Sequence, residues 1–309
     1  MSMTKNNYPI PEKLNLLIFF TLLIILISLF WATAQVTSYF FIAIISLCYG
    51  IVMNTGYSLL HEAEHNLFNN NKIINDLCGT ILAFFFPAPF HLIRQGHIGH
   101  HIRNRSDDEA FDFYFEGDNP VWKFIQLYGI LTGFFWIVIA LGNLLALFYP
   151  KALEPRWEKV DRPSQAVFES LNPKYKKLIR IEAFCILILH IALVLLFNVP
   201  LLNYFCLLFG FGFIWSAMQY VHHFGTERDV RKGARNVKTY SLIDMLWLNH
   251  NWHLNHHMNP TVPWIYLPSL YRGEEFDRTS LLLNYLKMWK GPRYTDKRVE
   301  NRYKGKIIK

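Results

Sequence analysis

The stretch LNLLIFFTLLIILISLFWATA, residues 14–34, holds no charged side chain. A bilayer core is crossed by a helix of about 20 consecutive apolar residues. The run is long enough to span once. A signal peptide is the rival reading, because Ala32-Thr33-Ala34 resembles a cleavage site. The run is too long for an h-region, however, and a second apolar segment, 38–60, follows at once. A retained helical hairpin is therefore expected, with an uncharged turn near Gln35–Ser38.

Working outward, residues 181–199 and 201–221 form a second apolar pair, joined at Asn198-Val199-Pro200, again without charge. Between the two pairs, segment 150–180 carries Lys151, Arg156, Lys159, Arg162, Lys174, Lys176, Lys177 and Arg180. The positive-inside rule puts that segment in the cytoplasm and both uncharged turns outside. Residues 77–92 are apolar but broken by Pro87 and Pro89 and too short to span. Residues 124–149 are long enough for one crossing. A crossing there would send the basic segment outside and split the histidine groups between two faces. We therefore expect 124–149 to be re-entrant or interfacial, bent near Gly129, Gly133 or Gly142. The fold class is all-α integral membrane: two transmembrane hairpins (four spans) plus this segment, in one domain covering 1–309.

The composition agrees. Of 309 residues, 52% are hydrophobic and 17% charged, with a net charge of +8. A basic chain with long apolar runs suits an anionic membrane surface better than nucleic acid. Cys48, Cys78, Cys185 and Cys206 lie singly in apolar stretches, without CxxC spacing, which argues against iron–sulfur or thiolate zinc sites. They read as small core residues.

Most of the thirteen histidines fall in four groups. They are His61 and His65 in HEAEH, His97, His100 and His101 in HIGHH, His222-His223, and His253, His256 and His257 in HLNHH. Under the expected topology all four lie on one membrane face. Helical residues three or four apart share a side, whereas adjacent histidines diverge by about 100°. Each HxxHH box could therefore serve two metals held side by side. Three boxes supply eight imidazoles, and one or both of His222 and His223 make nine or ten. That is more than one tetrahedral zinc needs, and imidazole suits iron, zinc, copper and nickel. As packing, such a cluster is unfavourable, since buried imidazoles need partners and charged ones repel.

His91 reads as structural or interfacial, and His190 as a hydrogen-bonded imidazole inside a span. His250 stays open among ligand, outer donor and surface group. Ligating histidines give their second N–H to a carboxylate or carbonyl. Candidates are Glu62, Glu64, Asp107, Asp108, Glu109, Glu227, Asp229 and Asp244, and Asn249 or Gln219 are candidates to hold a metal-bound water.

HxxxH, HxxHH and HxxHH, as His61–His65, His97–His101 and His253–His257, resemble the three histidine boxes of the integral-membrane fatty acid desaturase superfamily, over roughly residues 40–270. The resemblance implies two irons in a cytoplasmic helical cap above a four-helix stem, with molecular oxygen as co-substrate. Trp215 followed by His222 resembles the element that gives the extra ligand, favouring His222 over His223. It also implies a lipid or fatty acyl substrate and a double-bond-forming reaction. Lipid, alkane or carotenoid hydroxylases and ketolases of the superfamily share the ligands. Glu64 departs from the glycine common before the second histidine of the first box, and Met258–Pro268 resembles the carotenoid-modifying and hydroxylase branches. With no fused electron-transfer segment recognisable, a separate donor is expected, ferredoxin-, rubredoxin- or cytochrome b5-like. Residues 287–309 carry nine basic and two acidic side chains, suited to an acidic redox protein, anionic lipid or plain solvation. A membrane metal-binding or transport protein without redox chemistry is the reading from another class; transporters place ligands near the bilayer midplane, where only His190 is expected.

Overall fold

The computed structural model describes residues 8–158, 160–270, 273 and 276–308. Lys159 and Lys309, two of the basic residues counted above, lie outside the described residues. Among the described residues, four helices are long and apolar enough to cross a membrane. These are α1 (Glu12–Ala34), α2 (Tyr39–Glu64), α8 (Lys176–Phe197) and α9 (Leu201–Gln219). Their outward faces are apolar: Phe20, Ile24, Phe40, Leu47, Phe184, Leu195 and Phe205 are all exposed. In water such surfaces mark sites of association, and in a bilayer they are the ordinary lipid contact.

The expected hairpins are present, with helices extending beyond the apolar runs. α2 continues to Glu64, so the first histidine box rides on the end of a spanning helix. α2 packs most extensively on α9. Their backbones meet where small residues face each other: a Cβ on Gly50 would lie 2.7 Å from the Gly210 carbonyl oxygen. At the far end, Asn203 Nδ2 donates to the carbonyls of Thr33 (2.9 Å) and Val36 (3.0 Å). This bond brings the turn between α1 and α2 to the start of α9, so the two uncharged turns share one end of the bundle.

Two bent helix pairs complete the frame. α3 (Lys72–Phe85) and α4 (Phe90–Arg103) meet at 99°, across the Pro87-Ala88-Pro89 break. Proline lacks an N–H and disfavours helix in the residue before it, so neither helix continues through. α5 (Pro120–Thr132) and α6 (Phe134–Phe148) meet at 94°. The hinge is Gly133, one of the three glycines expected there, at φ 88°. Only glycine adopts that conformation without strain, and a side chain would also run into Phe213 of α9.

The remaining elements are short and cover one end of the bundle. They are α7 (Arg162–Ser170), α10 (Ser241–Leu246), α11 (His253–Met258) and α12 (Leu281–Met288). Two parallel two-residue ladders tie them together. Phe113-Tyr114 (β1) pairs with Arg293-Tyr294 (β4), and Val237-Lys238 (β2) with Thr279-Ser280 (β3). The basic segment 150–180 belongs to this end, because Asn172 N–H donates to Gln95 of α4. The C-terminal stretch is packed here as well: Val299 N–H donates to Asp107, and Ile308 N–H to the Ser170 carbonyl.

Candidate metal centre

All four histidine groups arrive at the covered end. His61 and His65 come from the last turn of α2 and its cap, and His97, His100 and His101 from α4. His223 lies in the turn after α9, and His253, His256 and His257 on α11. Each box splits as adjacent helical positions require. One set contains His61, His65, His97, His101 and His256; the other contains His100, His223, His253 and His257. Within each set the candidate ligand atoms all lie within 4.8 Å of one another.

The spacing of the ring nitrogens tests whether a metal fits. His97 Nε2 faces His65 Nε2 at 2.9 Å and His101 Nε2 at 3.0 Å, and His101 Nε2 faces His256 Nε2 at 2.9 Å. In the other set His253 Nε2 faces His223 Nε2 at 3.1 Å and His257 Nε2 at 3.2 Å. Three nitrogens converging on one point cannot all be satisfied by sharing protons. Ligands at about 2.1 Å from a metal, set at right angles, lie about 3.0 Å apart. The nitrogens therefore have the spacing of coordination edges.

Electrostatics agree with neutral imidazoles, the protonation state a ligand needs. Burial, and then the neighbouring histidines, push the pKa values of His253, His256 and His257 well below the usual value. Burial lowers His222 to about 3 and His250 to about 4.

The outer nitrogens are held unequally. His100 Nδ1 lies 2.7 Å from Glu109 Oε2, and the same carboxylate receives Arg103 Nε. Burial pushes the Glu109 carboxyl up, but the Arg103 charge and His100 outweigh it and hold it down at about 2. His223 Nδ1 donates to the Gly233 carbonyl at 2.8 Å. By contrast, Glu62 lies 3.8 Å from His61 Nδ1 and Glu64 lies 3.9 Å from His97 Nδ1, both beyond hydrogen-bond reach. Glu62 instead accepts the Trp264 backbone N–H, and both Glu64 oxygens are buried without a hydrogen bond among the described residues. Of the other carboxylates named above, Asp107 pairs with Arg228, Asp108 accepts from Asn301, Asp229 accepts backbone N–H groups of its own turn, and Asp244 pairs with Arg278.

His222, which the resemblance favours as a ligand, lies beside the four-histidine set but outside it. The chain turns after α9 ends at Gln219, and the two adjacent histidines leave in different directions. The Gly233 carbonyl fixes His223 toward His253, whereas His222 stacks 4.6 Å from the His253 ring and belongs to neither set. His250 also stays outside both sets, 4.7 Å from the His61 ring and 5.6 Å from Tyr57. His190 bonds the Phe84 carbonyl and Tyr204, and His91 bonds Glu182 at 2.6 Å, both far from the sets in role. Asn249 donates to the Trp264 carbonyl, while Gln219 contacts Tyr57 and borders a small cavity with Asn54, His222 and His250.

Two supports have no local sequence signal. Asn236 Oδ1 accepts from Leu254 N–H (3.0 Å) and Asn255 N–H (3.3 Å), capping the six-residue α11 from 18 positions away. A helix that short is unstable alone, so this bond holds three of the nine converging histidines. The second is a fully buried Arg105, which pairs with Asp112 at 2.6 Å and bonds Tyr220 at 2.7 Å. Asp112 also accepts from Tyr220 Oη and from Gly225 N–H, closing both ends of the turn that carries His223.

A fold of membrane-length helices with two buried to half-buried histidine sets at one end defines a membrane protein of the histidine-box class. The fatty acid desaturase family model matches residues 37–286, and the chain belongs to that family. It is also similar to the sn-1 oleoyl-lipid 12-desaturase of Arthrospira platensis, 26% identical over 126 residues. That match covers 40% of this chain and 35% of the relative's length. Family membership agrees with the membrane-length helices and with the histidine groups able to hold a metal.

Proposed function

We propose that this chain is an oxygen-dependent diiron enzyme that introduces a double bond into the acyl chain of a lipid. The carrying observation is the pair of converging nitrogen sets, five and four imidazoles, in a member of the desaturase family. His61, His65, His97, His101 and His256 would hold one iron, and His100, His223, His253 and His257 the other. The five-imidazole group exceeds the four ligands that a tetrahedral zinc takes up. When bound, the metal pair supplies the oxidising power to remove hydrogen from an unactivated C–H bond.

The overall reaction takes two hydrogens from adjacent methylenes. Dioxygen accepts them with two electrons and two protons, and two waters leave. The electrons come from a redox donor, ferredoxin-, rubredoxin- or cytochrome b5-like. The chain's own residues hold and orient. Glu109 fixes His100, and the Gly233 carbonyl fixes His223, each setting which nitrogen faces inward. Tyr57 stacks on Phe86 at 5.6 Å and meets Trp215 edge-on at 5.5 Å, an aromatic floor beneath the histidines on the bundle side. An apolar cavity of about 520 Å³ among α6, α8 and α9, lined by Trp136, Leu141, Leu187 and Phe209, supports a lipid environment.

The histidine end faces the cytoplasm in this reading. Support comes from the basic segment 150–180, which packs beside α4, and from the uncharged turns at the opposite end. The bent pair α5–α6 is then interfacial or re-entrant, and the whole chain acts as one domain. Lipid profiling of cells with and without the gene tests the function. A new double bond is expected; a hydroxylated product without one moves the chain to the hydroxylase branch. Zinc alone in the purified protein, without oxygen uptake, would favour a non-redox metal-binding role.

A further inference from the structure

α12 buries Met288 against α5 but exposes its leucines and turns an asparagine inward. Its inward face carries Asn284, 2% exposed, which accepts from Arg235 Nη1 at 2.7 Å and donates to Thr279 Oγ1 at 2.8 Å. Its outward face carries Leu282, Leu283 and Leu286, 62%, 58% and 54% exposed, followed by exposed Trp289. A soluble helix turns its leucines in and its asparagine out.

Hydrogen bonds fix where this face lies. Ser216, in the last turn of spanning helix α9, donates to the Ile130 carbonyl of α5. The next carbonyl, Leu131, accepts from Tyr285 of α12 at 3.1 Å. Tyr128 of α5 donates to the Trp289 carbonyl and stacks on its ring at 5.5 Å. α12 is thus pinned at the level where the membrane-length helix α9 ends. The surface also continues onto α10. β2 and β3 run parallel, so the helices that follow them, α10 and α12, start side by side from one edge. α10 adds exposed Tyr240, Leu242 and Met245. Lys287 and Lys290, both exposed, stand at the end of the leucine face.

We propose that α12, with α10 beside it, is a membrane-interface anchor that takes lipid acyl chains against its leucine face and anionic headgroups against Lys287 and Lys290. Leucine and tryptophan on one side with lysines at the rim is the composition of a helix lying in the headgroup region. The apolar face lies beside α5, which joins it to spanning helix α9, and the basic rim matches an anionic lipid surface. Through Asn284 and Arg235, the anchor also grips the turn that carries His222 and His223, because Arg235 N–H donates to the His222 carbonyl.

The test uses the full chain in vesicles of mixed phosphatidylglycerol and phosphatidylcholine. A photoreactive benzoylphenylalanine is placed at Leu283, at Leu196 on spanning helix α8, and at exposed Lys304, and adducts are identified by mass. Leu283 should give lipid adducts like Leu196, at least about tenfold above Lys304. Lipid adducts at the Lys304 level would overturn the proposal, as would crosslinks to a second copy of the chain instead of lipid. Lys287→Glu with Lys290→Glu should keep the adducts at Leu283 but bring their phosphatidylglycerol share down to the bulk ratio. An unchanged share would remove the headgroup half of the proposal.

Discussion

The two histidine sets are built from different material. The five-histidine set draws four members from α2 and α4, which belong to the membrane frame, and only His256 from the cap. The four-histidine set draws His100 from α4 and the other three from the turn after α9 and from α11. The first gets its geometry from helix packing, with outer carboxylates beyond bonding distance. The second gets it from polar bonds: Glu109 on His100, the Gly233 carbonyl on His223, and Arg105–Asp112–Tyr220 around the turn. The lesson is that changes in the cap should loosen the four-histidine set first.

The largest effect should separate two neighbours. His223→Ala is expected to reduce product formation to background, while His222→Ala retains a substantial fraction, as lipid product analysis would show. Equal loss in both would erase the assignment of His223 to the four-histidine set. Next comes Asp112→Asn, which strands the buried Arg105 charge. Removing one partner of a buried pair costs about 3–5 kcal/mol, so thermal unfolding should begin markedly earlier. Unchanged melting would mean that the Arg105 network does not brace the His223 turn.

Smaller effects sharpen the contrast further. Glu109→Gln keeps the shape but weakens the bond to His100. Outer-partner changes lower metal affinity by roughly 10–100-fold, and only one of the two metals should become easier to chelate. Equal lability of both would contradict independent construction of the sets. Asn236→Ala removes the distant cap of α11 at about 1 kcal/mol. It should lower stability slightly and touch both sets, because α11 feeds both.

Much of this was legible along the chain. Apolar runs of about bilayer length marked the four candidate spans, and Pro87 and Pro89 marked the α3–α4 break. Gly133 was one of three candidate hinges. Its selection required Phe213 of α9, a neighbour about 80 positions away that no local pattern shows. The boxes displayed which histidines converge, and helical periodicity implied that adjacent ones separate. That His223 rather than His222 turns its Nε2 toward that of His253 was not legible, since it depends on a turn beyond α9 and on the Gly233 carbonyl. Asn236, Arg105 and Asp112 were missed for the same reason: their partners lie far along the chain, and each alone looks like a surface polar residue. Among the suggested carboxylates, Glu109 bonds a converging histidine, while Asp107 and Asp244 serve arginines. The tail after α12, one of whose readings was plain solvation, is bound to the cap through Val299 and Ile308.

The central claim is that two separately built sets hold one iron each. The most direct test is iron per chain, by mass spectrometry, in protein reconstituted with ferrous iron. Wild type should hold two, the double variant His100→Ala with His223→Ala should hold one, and His65→Ala with His97→Ala should hold the other. One iron in the wild type, or loss of both irons from either double variant, would contradict it.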